Sequence, residues 1–549
     1  MKKWKPIAVL AAFVLFALYV LINQMNLNPL YPESAFAYCV LISALLLIVT
    51  LDRIGRFISV RQASGVNVQF VKNSNPIRWP LIVLGVLWGA FFLVLIGSSV
   101  LFQVNAYRDQ MPELTEMEFA ADFDTVNTSQ LPIVDKKMAK KLADKKLGER
   151  SSLGSQVVLG EPTLQQVNGQ LLWAVPTYHS GLFKWLTNLD GTPGYITVSA
   201  TNPQDVQYVD GYKIKYQPNS YLWQELGFWA RFTAAPFTGI TDPSFELDDT
   251  GRPHWVITTY KYLRGFALPE ATGAVVIDCA TGDSERYTID TLPEWVDRVQ
   301  PEDFIMTQLN NKGEYVHGYL NFSDRDKFRT SEGETIIYNN GNCYLFTGLT
   351  SVGGDQSAIG FVMVDMVTKE PHMYRISGAT ETAAQRSAEG EVQQYGYQAA
   401  FPLIINLNSQ PTYFMTLKDT EGLIKQYAYV SVRDYQTVGV GETIQEARMN
   451  YEKALNASPG SQMVGSTTSD AETITGTVAR IGSEYSGAGT VYYLVLEEHS
   501  ELLFSVQGSL SDELALTQTG DKVSVSYYPT SAQTQDVSEF DNLEFTQKN

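Results

Sequence analysis

Three long apolar segments without a charged residue lie within the first 104 residues of the chain. They run from about Pro6 to Ile22, from about Ala35 to Leu51 and from about Pro80 to Val104. Each is close to the roughly 20 residues that an α-helix needs to cross the hydrocarbon core of a bilayer. We therefore predict an integral membrane protein with a three-helix transmembrane anchor over residues 1–104.

The first apolar segment follows a basic N-terminus, as a secretory signal peptide would. No small-residue cleavage site follows it, because residues 23–26 read Asn-Gln-Met-Asn, so we interpret it as an uncleaved anchor. The loop 52–79 carries five basic residues and the loop 24–34 carries none. The positive-inside rule then predicts a cytoplasmic N-terminus and, after three spans, a body outside the cytoplasm. The turn chemistry, the lack of a cysteine scaffold and the three-span anchor indicate a bacterial cell envelope.

Charge is divided unevenly between the anchor and the rest of the chain. Residues 1–103 contain eight basic and two acidic residues, a net charge of +6, whereas the whole chain carries −19. Residues 104–549 must therefore carry −25. A nucleic-acid partner is excluded by this acidity, because neutralising phosphates requires a basic surface.

Residues 105–134 are polar and acidic and predict a tether, and residues 135–216 then combine one helix with short strands. This module resembles a PepSY domain. The resemblance is carried by a helical stretch, a first strand and a hairpin, namely Met138–Leu147, Gln156–Leu159, and Leu172–Pro176 with Tyr195–Val198. It implies a small α+β module outside the cytoplasm, associated with binding or with the restraint of peptidases.

Residues 217–455 repeat a similar order of strand, polar loop, second strand, acidic turn and helix. The three copies begin at His254, Cys343 and Pro411. Two interpretations remain open: divergent PepSY-like α+β modules, or a single irregular antiparallel sheet. Either one gives a membrane-anchored α+β protein with antiparallel sheets.

A flexible linker is predicted over residues 456–470 from its small and polar composition. Residues 471–549 then show five short strands, with a short helix at Ser511–Leu516 between the third and the fourth. In strand number and spacing this segment resembles a small OB-like β-barrel. Because it is acidic, we expect it to contact protein or glycan.

Signatures of catalysis and of cofactor binding are missing from the sequence. The glycines and serine of residues 354–360 have the wrong spacing for a nucleophile elbow, and no zinc, P-loop or dinucleotide motif occurs. Asp324 and Asp326 alternate as calcium ligands do, but the closing glutamate is missing and the segment also reads as a tight turn. We predict no catalytic, cofactor-binding or metal-binding residue.

Twelve aromatic residues fall between residues 183 and 237. We single out Trp185, Tyr221, Trp223 and Trp229 as candidate contacts with a ligand or a partner. The alternative is that these side chains form a core or lie at the lipid interface.

Two of the three cysteines, Cys279 and Cys343, fall in the part predicted to lie outside the cytoplasm. A disulfide bond between them is chemically permitted there. Two buried thiols that never meet are the alternative.

The sequence thus favours a membrane-anchored binding or regulatory protein of the cell envelope, with an envelope protein such as a peptidase or a wall-synthesis protein as partner. The rival is an envelope enzyme that acts on wall polymer or peptide, which would need a deep pocket with two acidic groups. A channel is disfavoured, because the charge-free spans offer no polar pathway. The oligomeric state is left open.

Overall fold

The computed structural model describes residues 4–57, 75–119, 131–322, 324–339, 341–352, 358–376, 378–407, 410–457, 472–486, 489–508, 510–527 and 534–545. Two compact units are formed. The first comprises Met1–Met117, Ala143–Thr197 and Gln207–Ile376, and the second comprises Glu118–Leu142, Val198–Val206 and Ser377–Asn549. Most of the predicted linker 456–470 and part of the basic loop 52–79 lie outside the described residues. So do part of the predicted tether and residues 354–357.

The prediction of three spans is confirmed: α1 (Trp4–Ile22), α2 (Pro32–Phe57) and α3 (Asn75–Gly97) are each long and apolar enough to cross a membrane. The third helix ends seven residues before the predicted Val104. Two serines break the apolar run there, because Ser98 donates a hydrogen bond back to the carbonyl oxygen of Val94 and Ser99 is extended. A separate helix, α4 (Val100–Arg108), follows.

The described part of the predicted tether 105–134 is packed. Met111 is completely buried, and β1 (Thr115–Glu116) forms a parallel pair with a later strand. The chain therefore joins the body within a few residues of the membrane anchor. The later helices are α5 (Lys136–Gly148), α6 (Ser151–Gly154), α7 (Leu182–Thr187), α8 (Leu226–Trp229), α9 (Glu302–Glu314), α10 (Glu381–Glu391) and α11 (Ile444–Ala457).

Two antiparallel sheets share one core. The first has the order β2-β4-β5-β6, with β3 also paired to β4, and the second has the order β10-β9-β8-β7. Their bounds are β2 (Val157–Leu159), β3 (Thr163–Val167), β4 (Gln170–His179), β5 (Thr192–Ser199), β6 (Val206–Ile214), β7 (Gly239–Leu247), β8 (Pro253–Arg264), β9 (Ala267–Asp278) and β10 (Ser284–Thr288). Ala174, Tyr195, Phe245 and Trp255 are among the buried side chains of the common core.

A third sheet completes the first unit. Its order is β1-β15-β14-β13-β11, with β12 also paired to β13. The strands are β11 (Phe328–Thr330), β12 (Thr335–Asn339), β13 (Asn342–Ser351), β14 (Ala358–Asp365) and β15 (Pro371–Tyr374). Ile305 and Leu309 of α9 pack with Leu345 and Val362 of this sheet.

The second unit contains one further sheet and a barrel. The sheet has the order β16-β18-β19-β20, with β17 also paired to β18, and the barrel closes in the order β21-β22-β23-β25-β24. The sheet strands are β16 (Gln398–Ala399), β17 (Leu403–Leu407), β18 (Gln410–Lys418), β19 (Ile424–Ser431) and β20 (Val438–Gly441). The barrel strands are β21 (Glu472–Ser486), β22 (Gly489–Leu496), β23 (His499–Gln507), β24 (Lys522–Tyr527) and β25 (Thr534–Asn542). The predicted mixture of helices and antiparallel sheets is thus observed, and the strands after residue 217 belong to several sheets instead of one.

β9 and β10 approach each other closely at Gly273. Its φ is +146°, and a Cβ atom there would lie 2.0 Å from the carbonyl oxygen of Tyr287. We expect Gly273→Ala to destabilise the first unit by about 1–2 kcal/mol from backbone strain and by a further 1–3 kcal/mol or so from the clash. Gly211→Ala is the control, because its φ is +97° but its Cβ would meet nothing within 4 Å. The midpoint of thermal unfolding, followed by tryptophan fluorescence, should fall clearly more for Gly273→Ala; equal shifts would contradict the clash.

Candidate functional site

The connection between α1 and α2 is hydrogen-bonded into the body of the first unit. Tyr31 donates through its hydroxyl to the carbonyl oxygen of Tyr260 at 2.6 Å and accepts from the backbone N–H of Gly239 at 2.7 Å. The backbone N–H of Leu27 donates to the carbonyl oxygen of Pro236 at 2.9 Å. The rings of Tyr31, Tyr260 and Tyr262 pack edge to face, with centroids 5.4 to 5.7 Å apart. The body is therefore held against the ends of the two spans.

We call the contact between the α1–α2 connection and the body the junction. A buried arginine lies at its centre. Arg231, in a π-helical turn at Ala230–Ala234, is only 7% exposed. Its Nε donates to the carbonyl oxygen of Gln24 at 3.0 Å, and its Nη1 donates to those of Ala235 at 2.7 Å and Thr238 at 2.5 Å. Within the residues that the structure describes, Nη2 makes no hydrogen bond and the guanidinium has no ion-pair partner.

Burial lowers the pKa of Arg231, while the nearby Tyr260, Tyr31 and Glu33 act to raise it. The group remains a cation at neutral pH, because arginine starts from a very high pKa. A buried cation that is bonded only to neutral carbonyl groups is incompletely compensated. It would be stabilised by an anionic group, and a guanidinium binds carboxylate and phosphate oxygens well.

Glu225 fixes the other side of the junction. It caps α8, its two carboxylate oxygens accepting from the backbone N–H groups of Gly227 at 3.1 Å and Phe228 at 2.6 Å. The amide of Gln24 also donates to it, at 2.6 Å. Because its oxygens are used in this way, Glu225 positions the α1–α2 connection and forms no ion pair with Arg231.

These groups surround a cavity of about 440 Å³. Its wall combines the guanidinium with two carboxylates, three tyrosine rings and apolar side chains. The lining residues are Asn23, Gln24, Met25, Asn26, Tyr31, Pro32, Glu33, Ser34, Pro218, Glu225, Leu226, Gly227, Arg231, Ile240, Thr241, Pro243, Ile257, Tyr260 and Tyr262. A volume of this size accommodates a small ligand.

A second, open cleft of about 530 Å³ contains Tyr221 and is lined by Val158, residues 179–181 and residues 218–221. His179 is 2% exposed there, and its Nε2 has no hydrogen-bond partner among the described residues. Burial lowers the pKa of His179, so the ring is neutral at pH 7. The neutral ring can offer one donor or acceptor to a polar ligand but no charge.

The four predicted aromatic contacts have different environments. Trp185 is buried, donates from Nε1 to the side-chain oxygen of Gln224 at 2.6 Å and packs with its ring centroid 5.4 Å from that of Tyr221. Trp223 is 58% exposed. Trp229 packs on Tyr216 at 4.6 Å and donates to the carbonyl oxygen of Gly282 at 2.8 Å, beside the core of the first two sheets. Trp185 and Tyr221 are thus brought together, whereas Trp229 packs against the core.

Cys279 and Cys343 are free thiols, each buried in a different hydrophobic cluster. They do not form the disulfide bond that the sequence permitted, because apolar packing separates them. Asp324 and Asp326 are likewise used in ion pairs, with Lys327 at 2.9 Å and His317 at 2.7 Å. Within the described residues, no group of three or more His, Cys, Asp and Glu side chains could hold a metal ion.

A cluster of buried ionisable groups lies elsewhere in the first unit. Glu246 is completely buried, accepting from the hydroxyl of Ser244 at 2.5 Å and from the backbone N–H of Asp297 at 3.3 Å. Asp297 accepts from the backbone N–H of Gln166 at 2.9 Å and from the hydroxyl of Tyr338 at 2.8 Å. The cluster therefore connects β3, β7 and β12 through hydrogen bonds.

Burial raises the pKa of Glu246 to about 7, Asp297 adds to the rise, and Arg298 and Ser244 oppose it. Burial also raises the pKa of Asp297. An envelope enzyme would need a deep pocket with two acidic groups, and Glu246 and Asp297 supply the two acidic groups. Glu246 itself, however, is closed to solvent.

No protein-family model matches the chain, and no curated protein matches it. Solved structures with some similarity include a mutant levansucrase from B. megaterium, at 9% identity and a TM-score of 0.20 over 76% of this chain and 97% of that chain. Others are an α-L-arabinanase from Cellvibrio cellulosa (11%, 0.17, over 55% and 79%) and an α-L-arabinofuranosidase from Lactobacillus brevis (9%, 0.16, over 49% and 69%). Similarity this low identifies neither a common fold nor an activity.

The pKa of Glu246 gives a prediction for stability. In the folded protein this carboxyl group retains its proton up to about pH 7, whereas in the unfolded chain it loses the proton near pH 4.5 or so. The folded state therefore binds more protons than the unfolded state in this interval. The free energy of unfolding should fall by on the order of 3 kcal/mol as pH rises from about 4.5 to about 7, and it should level off above pH 7.

Glu246→Gln should reduce this pH dependence, because glutamine does not titrate. The exposed Glu294 provides the matched control, Glu294→Gln, which should keep the pH dependence of the wild type. The measurement is the midpoint of thermal unfolding of the detergent-purified chain between pH 4.5 and 8. Identical pH profiles for all three proteins would show that Glu246 titrates normally.

Proposed function

We propose that this chain is a membrane-anchored binding or regulatory protein of the bacterial cell envelope, with its body outside the cytoplasm. The observation that carries the proposal is the junction cavity, in which a buried guanidinium has neither an ion-pair partner nor a bond to Nη2 among the described residues. We infer that the cavity takes a ligand or a partner side chain with an anionic group. A partner that occupies the junction would contact the anchor and the body together.

The proposed orientation is supported by loop charge. The basic loop 52–79 would lie in the cytoplasm, and the uncharged part of the α1–α2 connection packs on the body at the opposite side of the spans. The end of α3 also contacts the body, since Ser98 accepts a hydrogen bond from the backbone N–H of Phe266 at 3.0 Å. Both contacts are consistent with a body on the outer side.

The proposed module types have separate support. α5 and the short α6 precede the antiparallel strands β2 to β6, with α7 between β4 and β5, an order similar to that of a PepSY-like module. In the barrel, the third and fifth strands pair in parallel, and a 3-10 helix at Asp512–Ala515 lies between the third and fourth strands. This connectivity supports an OB-like barrel that contacts protein or glycan.

The proposal is tested by photo-crosslinking on intact cells. A photoreactive amino acid in place of Asn23, an exposed residue of the cavity wall, should capture an envelope component, which mass spectrometry then identifies. Arg231→Gln in the same chain should lower the yield about tenfold or more, because a charge-assisted hydrogen bond contributes about 1.5–3 kcal/mol.

The matched control for that experiment is Arg286→Gln, which removes an exposed arginine from β10. It should leave the crosslinking yield unchanged. Resistance of both variants to trypsin verifies folding. Absence of any captured envelope component from the wild type, or an equal yield from Arg231→Gln, would count against the proposal.

The alternative, an envelope enzyme that acts on wall polymer or peptide, is favoured by one observation, the pair Glu246 and Asp297 with raised pKa values. Its substrate would require an opening of the first unit to reach Glu246. Turnover of wall polymer that is abolished by Glu246→Gln but retained by Glu294→Gln would establish this alternative; turnover unaffected by Glu246→Gln would remove it.

A further inference from the structure

Large apolar side chains are exposed in three segments of the first unit outside the spans. The first segment comprises α7 and the 3-10 turn Leu222–Gln224 with the nearby Phe237, the second is the tip of the β8–β9 hairpin, and the third is the loop after α9. Phe183 is 80% exposed, Trp223 58%, Leu263 37% and Phe322 81%. Exposed apolar surface of this kind is unfavourable in water and indicates a contact with a membrane or with another protein.

The first segment adjoins the connection between α1 and α2. Gln224 joins its two parts, accepting a hydrogen bond from Trp185 at 2.6 Å and donating one to the carbonyl oxygen of Leu189 at 3.0 Å. The next residue, Glu225, accepts from Gln24 at the end of α1, and the carbonyl oxygen of Phe237 accepts from Asn28 at 3.1 Å. The exposed Phe183, Trp223 and Phe237 therefore lie beside the ends of the first two spans.

The second segment reaches along the third span. The ring of Phe266 packs on that of Phe91, with the centroids 5.4 Å apart. A Cβ atom on Gly265 would lie 2.9 Å from a methyl carbon of Val94. Phe91 precedes the end of α3 at Gly97 by six residues, which is about 9 Å along a helix. The hairpin tip thus lies at the depth of the last turns of a membrane-spanning helix.

The third segment lies beside α4, which follows the third span. The rings of Tyr315 and Tyr107 pack edge to face at 6.4 Å, and the hydroxyl of Tyr107 donates to the carbonyl oxygen of Ser98 at 3.1 Å. Phe322 follows in the loop. The acidic Asp324 beyond it is paired with Lys327, which reduces the repulsion from anionic lipid.

We propose that these three segments enter the lipid headgroup region of the leaflet that faces the body. The first unit is then bound to the bilayer by a surface of its own, in addition to the three helices. Lipid is the occupant that the contacts favour, because the segments come from distant parts of the chain and share their position at the ends of the spans. Tryptophan, phenylalanine and leucine are the side chains that membrane interfaces stabilise.

Spin labelling in proteoliposomes tests the proposal on the full chain. The three native cysteines are buried, so single cysteines introduced as Phe183→Cys, Trp223→Cys and Phe322→Cys can be labelled selectively. Gln170→Cys is the matched control, since Gln170 is exposed and begins β4, nine residues from the end that leads to α7. That separation is about 30 Å along an extended strand.

We expect the ratio of collisions with apolar oxygen to collisions with a polar nickel complex to be several-fold higher at the three sites than at Gln170. A water-like ratio at all three sites, equal to that of the control, would overturn the proposal. Labels that are immobilised and shielded from both reagents would overturn it too, because the surface would then be covered by a second copy of the chain or by another protein.

Discussion

The connection between α1 and α2 is hydrogen-bonded to a segment more than 200 residues later in the chain, and the arrangement of the first unit depends on that joint. Among the bonds that form it, the guanidinium of Arg231 holds the carbonyl oxygen of Gln24, and the hydroxyl of Tyr31 bridges two backbone groups of the body. A second joint follows α4, where the side-chain amide of Gln110 donates to the carbonyl oxygen of Pro269 at 2.8 Å and Lys369 pairs with Glu270. Because buried polar groups must keep their partners, a movement at either place would break hydrogen bonds and cost free energy.

Burial of charge has two different outcomes in this unit. Glu246 accommodates burial by retaining its proton near neutral pH, so the core avoids an isolated negative charge. Arg231 cannot do so, since a guanidinium does not lose its proton in proteins. Its charge is instead distributed over carbonyl dipoles at the wall of a cavity. The buried group that an anion would stabilise is therefore Arg231 at the junction, and not a carboxyl group of the acidic cluster.

The spans could be predicted from the sequence because their signal is local: a run of about 20 apolar residues is readable without knowledge of the fold. The end of α3 could not, because Ser98 and Ser99 are small residues whose effect depends on a hydrogen bond to Val94 and on the approach of Phe266. The antiparallel sheets and their turns were also indicated by alternation and turn residues. The pairing of β1 with β15 joins residues about 260 positions apart and has no local signal.

The candidate site was only partly accessible from the sequence. The aromatic density of residues 183–237 was visible, but burial separates Trp229, in the core, from Trp223, on the surface, and burial is a property of tertiary packing. Arg231 was missed, although it had a signal: it is the one charged residue in the apolar run 226–237. A single charge in such a run carries a large desolvation cost and therefore indicates a specific role.

The joint at Arg231 has a consequence for how the protein is made. Gln24 leaves the ribosome long before Arg231, 207 residues ahead of it. At a synthesis rate of about 5–20 residues per second, the loop after the first span would wait roughly 10–40 s for its partner. During that interval the loop lacks the hydrogen bonds that hold it to the body. The anchor can therefore be joined to the body in this way only after the first strands of the second sheet have been synthesised.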